Sequence, residues 1–113
     1  MPDFDYKNAI MHCAGDESML KEIMSDIYSD FEAKTEKMKR FKVEGRYDMY
    51  CIEVHALKGL MATIGIKTLS DRAKKHEMAS KENDIRFIED DFEAFIKEYE
   101  EVCRKIRRAL GEE

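Results

Sequence analysis

Proline, tryptophan and glycine are scarce in this sequence. Its 113 residues include one proline, Pro2, five glycines and no tryptophan. Because a proline in the interior of a helix breaks or kinks it, a chain whose only proline is Pro2 can form long unbroken helices. Strand signals are lacking as well, since there are no alternating apolar runs and no Asn-Gly or Asp-Gly turn. These absences favour an all-α fold.

Long apolar runs, an excess of basic residues and paired cysteine motifs are also missing. No stretch of about 18 apolar residues is present, and the N-terminus lacks the apolar core of a signal peptide. The 25 acidic residues outnumber the 20 basic ones, which disfavours nucleic-acid binding. The cysteines Cys13, Cys51 and Cys103 are widely spaced, as expected for reduced thiols. We therefore expect a cytoplasmic protein that binds neither nucleic acid nor a membrane.

The apolar residues that are present, 43 % of the chain, recur at helical spacing. The length fits a single domain over residues 1–113. Short polar segments separate five predicted helices, at about Tyr6–Cys13, Glu17–Lys42, Arg46–Ile64, Thr68–Ser80 and Ile85–Leu110, with Asp16 as the N-cap of the second. Four long helices with short links predict an antiparallel up-down-up-down four-helix bundle with a short extra N-terminal helix.

The third predicted helix carries the most informative histidine, His55. At 100° per residue, His55 lies at the edge of the apolar stripe centred near Val54. Lys58 and Gly59 follow one turn later, and Ala62 lies on the same stripe. Glycine inside a helix costs roughly 1 kcal/mol relative to alanine, but small residues let another molecule approach the backbone closely. Spacing alone slightly favours the simpler interpretation, a surface histidine beside a glycine that packs helices together.

The next helix is expected to bring a carboxylate to His55. His55 lies ten residues, or about 15 Å, before the turn at Gly65. His76 and Glu77 lie a similar distance beyond that turn and should be level with His55. A carboxylate that accepts from Nδ1–H would fix the tautomer and leave Nε2 as a nucleophile. The alternative is that Glu77 is one more solvated charge.

At this point the residues resemble a known family. The run His55-Ala56-Leu57-Lys58-Gly59 matches the H-x-L-K-G motif of histidine-containing phosphotransfer (HPt) domains of bacterial-type multistep phosphorelays. The downstream positions of that family are matched by Gly65, Leu69, Ala73 and Glu77. The similarity covers roughly residues 4–106, essentially the whole domain.

The resemblance implies a role for each matched residue. His55 would be the phosphoacceptor through Nε2, Lys58 would stabilise the phosphoryl charge, and Glu77 would orient the imidazole. Contacts with a partner are implied for Gly59, Ala62 and, on the first helix, Ile10. One local departure is His76, which stands where the family often has an apolar residue and to which no function is assigned.

The resemblance also implies a function in two-component signalling. The chain would be a phosphorelay intermediate that exchanges a phosphoryl group with aspartates of response-regulator receiver domains, with a hybrid sensor histidine kinase as a further candidate partner. It would need no cofactor of its own, and Mg²⁺ is expected on the receiver. No G-x-x-x-x-G-K-[ST] loop occurs, so no ATP-dependent kinase activity is expected. Either direction of transfer fits, as does a free-standing domain or part of a larger sensor kinase.

Three other functions compete with this one. A non-catalytic helical adapter would bind a partner without transferring a group. A di-metal bundle needs paired E-x-x-H motifs, which are absent, since Glu53 is only two residues from His55. Nucleic-acid contact through Arg104–Arg108 is not needed to explain this basic run, because cations are favoured in the last turns of a helix. The acidic cluster Glu89-Asp90-Asp91 is interpreted as a solvated face.

Overall fold

The computed structural model describes residues 15–111, and every regular element in that range is an α-helix. The helices are α1 (Glu17–Ser29), α2 (Phe31–Val43), α3 (Tyr47–Thr63), α4 (Lys67–Lys81) and α5 (Ile85–Ala109). The all-helical prediction is therefore confirmed for this range. The predicted short helix Tyr6–Cys13, with Ile10, lies outside the described residues. None of the described helices combines the length and apolarity needed to cross a membrane.

The prediction of one continuous helix over Glu17–Lys42 is wrong, because the chain breaks at Asp30. The break is mild: Asp30 N–H donates to the Asp26 carbonyl, and Lys34 N–H donates to the Asp30 carbonyl, both at 2.9 Å. What changes is the packing partner, since α1 packs mainly on α5 and α2 mainly on α3. The Phe31 ring meets Tyr99 of α5 edge-on just after the break.

The turns after α2, α3 and α4 share one geometry. The residues Gly45, Gly65 and Asn83 each have a positive φ. In the turn after α3, Ile66 N–H donates to the Met61 carbonyl at 2.8 Å, and Gly65 N–H donates to the Ala62 carbonyl at 3.2 Å. This is the Schellman helix ending, which favours glycine at its left-handed position. It lets α4 follow α3 after only three residues.

The core lies where the apolar stripes of the helices meet. Its fully buried members include Leu20, Met24, Tyr50, Val54, Leu57, Met61, Leu69, Ile88, Phe95 and Ile106. The helices α3 and α4 run in opposite directions, because Ser70 near the start of α4 donates to the Lys58 carbonyl at 3.0 Å, whereas His76 farther along contacts Tyr50. This hairpin of α3 and α4 carries the candidate site.

Candidate functional site

His55 stands on the exposed side of α3. Its side chain is 64 % exposed, whereas that of its neighbour Val54 is completely buried. The helical periodicity produces this contrast, because consecutive residues point about 100° apart. The imidazole leans toward α4, and its Nδ1 lies 2.6 Å from Oε2 of Glu77.

Glu77 is the centre of the site. Its side chain is only 5 % exposed, so the interpretation as a solvated charge is wrong. Three donors surround the carboxylate: Nδ1 of His55, Nζ of Lys58 at 2.6 Å from Oε1, and Nζ of Lys81 at 3.3 Å from Oε2. A charge held out of water requires such compensation. Glu77 thereby joins a histidine and two lysines from two helices.

The charge on Glu77 fixes the tautomer of His55. The hydrogen bond from Lys58 lowers the pKa of Glu77 to about 2, helped by His55 and Lys81 and opposed by burial. At neutral pH the carboxylate is therefore ionised and can only accept hydrogen bonds. The proton of a neutral imidazole must then reside on Nδ1, between His55 and Glu77. This leaves the lone pair on Nε2, the nitrogen on the far side of an exposed ring.

The surface next to His55 is open. Gly59, one turn later, is exposed, and apart from its chain neighbours and its own helix backbone a Cβ there would meet no atom of residues 15–111 within 4 Å. The interpretation of Gly59 as a helix-packing glycine is therefore wrong for the described part of the chain. Ala62 is exposed on the same stripe, and so is Ile52, one turn before His55, at 58 %. Small and apolar residues thus flank the imidazole.

The sequence pointed to His55, Lys58 and Glu77, and the structure brings these three side chains together. It adds Lys81, which the analysis of the sequence had missed. The signal was present, because Lys81 lies four residues after Glu77, a spacing at which opposite charges pair on a helix. That pair does not look unusual until Glu77 is known to be buried and bonded to His55.

The structure places His76 away from this site. Although it follows the same turn, His76 points into the core with 0 % exposure. Its ring bonds Tyr50 Oη and Asp91 Oδ2, both at 2.9 Å, and stacks on Phe95. Arg72 holds the same Asp91 carboxylate through two nitrogens, at 2.7 and 2.9 Å. The interpretation of residues 89–91 as a solvated face is therefore wrong for Asp91.

Neither a metal ligand set nor a relative points to another function. Within residues 15–111, no three His, Cys, Asp or Glu side chains are arranged to hold a metal ion. Comparison of the chain with protein-family models, with curated proteins and with solved structures gave no match. The inference of function therefore depends on the geometry around His55.

Proposed function

We propose that this protein is a histidine phosphotransfer domain that relays phosphoryl groups between receiver domains. The observation that carries the proposal is an exposed imidazole, His55, whose Nδ1 is held at 2.6 Å by the buried carboxylate of Glu77. This arrangement leaves Nε2 as the nitrogen available for attack on the exposed ring. The match to the H-x-L-K-G motif supports the same function.

The transfer step needs little more than what this site offers. The Nε2 lone pair of His55 attacks the phosphorus of an aspartyl phosphate, the N–P bond forms, and the P–O bond to the receiver's carboxylate breaks. Phosphoryl transfer depends mainly on position and on charge stabilisation. Lys58, one turn from His55 and bonded to the same Glu77 carboxylate, supplies a positive charge close to the acceptor ring. The Mg²⁺ of the reaction belongs to the receiver domain.

The surface around His55 suits a receiver that must bring its aspartate to the imidazole. Gly59 and Ala62 leave the α3 backbone accessible, and exposed Ile52 adds an apolar contact on the other side of His55. We assign all three to the partner-contact surface. Ile10 remains a predicted contact on the segment outside the described residues.

The bundle topology and the location in the cell belong to the same proposal. The arms of an up-down-up-down bundle would be α1 with α2, then α3, α4 and α5. The reversed order of contacts between α4 and α5 supports this, since Arg72 reaches Glu98 while the later His76 reaches the earlier Asp91. Among the described residues, Cys51 and Cys103 are free thiols, which is compatible with the cytoplasm.

Label transfer from a receiver tests this function. Receiver domains from the source organism are loaded with radiolabelled phosphoryl groups and incubated with the chain. We expect an acid-labile, base-stable label on the wild type, none on His55→Gln, and normal labelling of the control Lys67→Gln, which changes an exposed side chain of α4. Label that persists on His55→Gln would overturn the assignment. A receiver that binds without transferring label would favour the helical adapter instead.

A further inference from the structure

The acceptor that holds His55 is a carboxylate rather than an amide. Among the described residues, the titratable group that contacts the imidazole is Glu77, and Cys51, Lys58 and Lys81 in turn contact Glu77. Of these, only Glu77 carries a negative charge, and it lies 2.6 Å from Nδ1. An ionised carboxylate accepts hydrogen bonds but cannot donate one, whereas an amide can do both.

This difference acts on the phosphorylated state of His55. Before transfer, the neutral ring has one proton, on Nδ1. Once Nε2 is bonded to phosphorus, a neutral ring would have no N–H at all, and the Nδ1 lone pair would face the lone pairs of the Glu77 carboxylate. At 2.6 Å this contact is repulsive unless a proton lies between the two atoms. The carboxylate therefore favours the ring that keeps its Nδ1 proton.

We infer that Glu77 keeps Nδ1 of phosphorylated His55 protonated, so that the phosphoryl group is carried as an N-phosphoimidazolium ready for transfer. This inference rests on the proposed function and extends it from the orientation of the ring to the lifetime of the intermediate. A glutamine at this position could turn its NH₂ group toward Nδ1 and stabilise the neutral, longer-lived phosphohistidine instead.

The charges and bonds of the step balance. When Nε2 takes the phosphoryl group, the N–P bond forms, the aspartyl P–O bond breaks, and the Nδ1 proton stays in place. The ring gains one positive charge, which faces the negative charge of Glu77. In the reverse step an aspartate oxygen of a receiver forms the new P–O bond, the electron pair of the N–P bond returns to Nε2, and neutral imidazole leaves. Without the Nδ1 proton the leaving group would be imidazolate, a much poorer one.

Two lysines keep the Glu77 carboxylate ionised. Lys58 and Lys81 both donate to Glu77 and hold its pKa far below neutrality, so the carboxylate does not take the Nδ1 proton for itself. The Lys81 side chain is 59 % exposed and that of Lys58 is 29 % exposed. Both ammonium groups therefore keep contact with water while they hold the Glu77 carboxylate.

Chemical phosphorylation tests the inference without a receiver. Potassium phosphoramidate is used to phosphorylate His55 in the wild type, in Glu77→Gln and in the exposed control Lys67→Gln. NMR of the labelled ring nitrogens then follows Nδ1 as the pH is raised. We expect Nδ1 to lose its proton about one pH unit higher in the wild type and in Lys67→Gln than in Glu77→Gln. The phosphohistidine should also decay about tenfold faster in those two proteins at mildly alkaline pH.

A second measurement on the wild type alone covers the case in which Glu77→Gln does not fold. The phosphorylated chain is titrated both folded and unfolded in urea, and Nδ1 should keep its proton to higher pH only when folded. Identical titrations in either comparison would overturn the inference while leaving transfer from receivers intact. Failure of both phosphoramidate and receivers to label His55 would instead overturn the proposed function, and the inference with it.

Discussion

Gly59 stands in the middle of α3, and residues 15–111 leave open space where a side chain would extend. Helix-interior glycine is less favourable than alanine by about 0.5–1 kcal/mol, because it loses more backbone freedom on folding. We therefore expect Gly59→Ala to raise the free energy of unfolding by about that amount, as measured by urea denaturation. No contact within the described residues opposes the change.

A large side chain at Gly59 should impair the reaction with a receiver domain. We expect Gly59→Leu to slow phosphoryl transfer from a receiver, since the larger side chain would occupy the space beside His55. Arg86→Leu, which places the same side chain on an exposed position of α5, serves as the control and should transfer normally. Equal rates for the two variants would mean that close approach at Gly59 is not required.

The residues of the site differ in how far the sequence could locate them. His55 and Glu77 follow from helix geometry, because a tight turn makes residues at similar distances on either side of it level with each other. Lys58 follows from its i+3 spacing to His55. His76 obeys the same arithmetic and yet faces the core, since one residue changes the direction of a side chain by 100°. The sequence does not show that Asp91 and Tyr50 are available to bond a buried imidazole.

At the scale of the elements, Arg72 ties α4 to α5. Its guanidinium holds Asp91 through two nitrogens and Glu98 through a third, at 2.8 Å. Lysine cannot reproduce this forked geometry. We expect Arg72→Lys to lower the free energy of unfolding by about 1–3 kcal/mol, the range for hydrogen bonds to charged groups and buried groups left unpaired.

The control for this prediction is another arginine. Arg86 pairs with Asp90 on the exposed face of α5 at 3.7 Å, and both side chains are almost fully in water. Exposed pairs contribute little, so Arg86→Lys should leave the urea midpoint nearly unchanged. If both variants were equally stable, the ion pairs of Arg72 would be no stronger than those of the surface.

The break between α1 and α2 is a feature that helical periodicity does not predict. Apolar spacing predicts helix on both sides of Asp30, and the hydrogen bonds across it keep the helical i to i−4 pattern. What separates the two helices is a change of packing partner from α5 to α3, which one-dimensional spacing does not encode. Lys34, which interrupts the predicted stripe, pairs with Glu53 of α3 at 3.4 Å.

At the scale of the whole molecule, the buried ionisable groups predict a stability maximum near neutral pH. Burial lowers the pKa of His76, so the unfolded chain takes up a proton first as the pH falls below about 6.5. Glu77 and Asp91 have pKa values of about 2, so the stability that they contribute is lost as the pH falls from about 4.5 toward 2. Burial raises the pKa of Cys103 to about 12, which destabilises the fold as the pH rises above about 9.

Urea denaturation at a series of pH values measures how the free energy of unfolding depends on pH. Two variants then show which groups cause its loss on the acid side and on the alkaline side. On the acid side, the folded chain binds about one proton fewer than the unfolded chain at each carboxyl group whose pKa is lowered. Asp91→Asn should therefore flatten the loss of stability between about pH 4 and pH 2, even though it lowers stability at neutral pH. Cys103→Ala should flatten only the alkaline side, because alanine cannot ionise. If Asp91→Asn left the acid slope unchanged, the link between Arg72 and Asp91 would contribute nothing to the acid sensitivity of the fold.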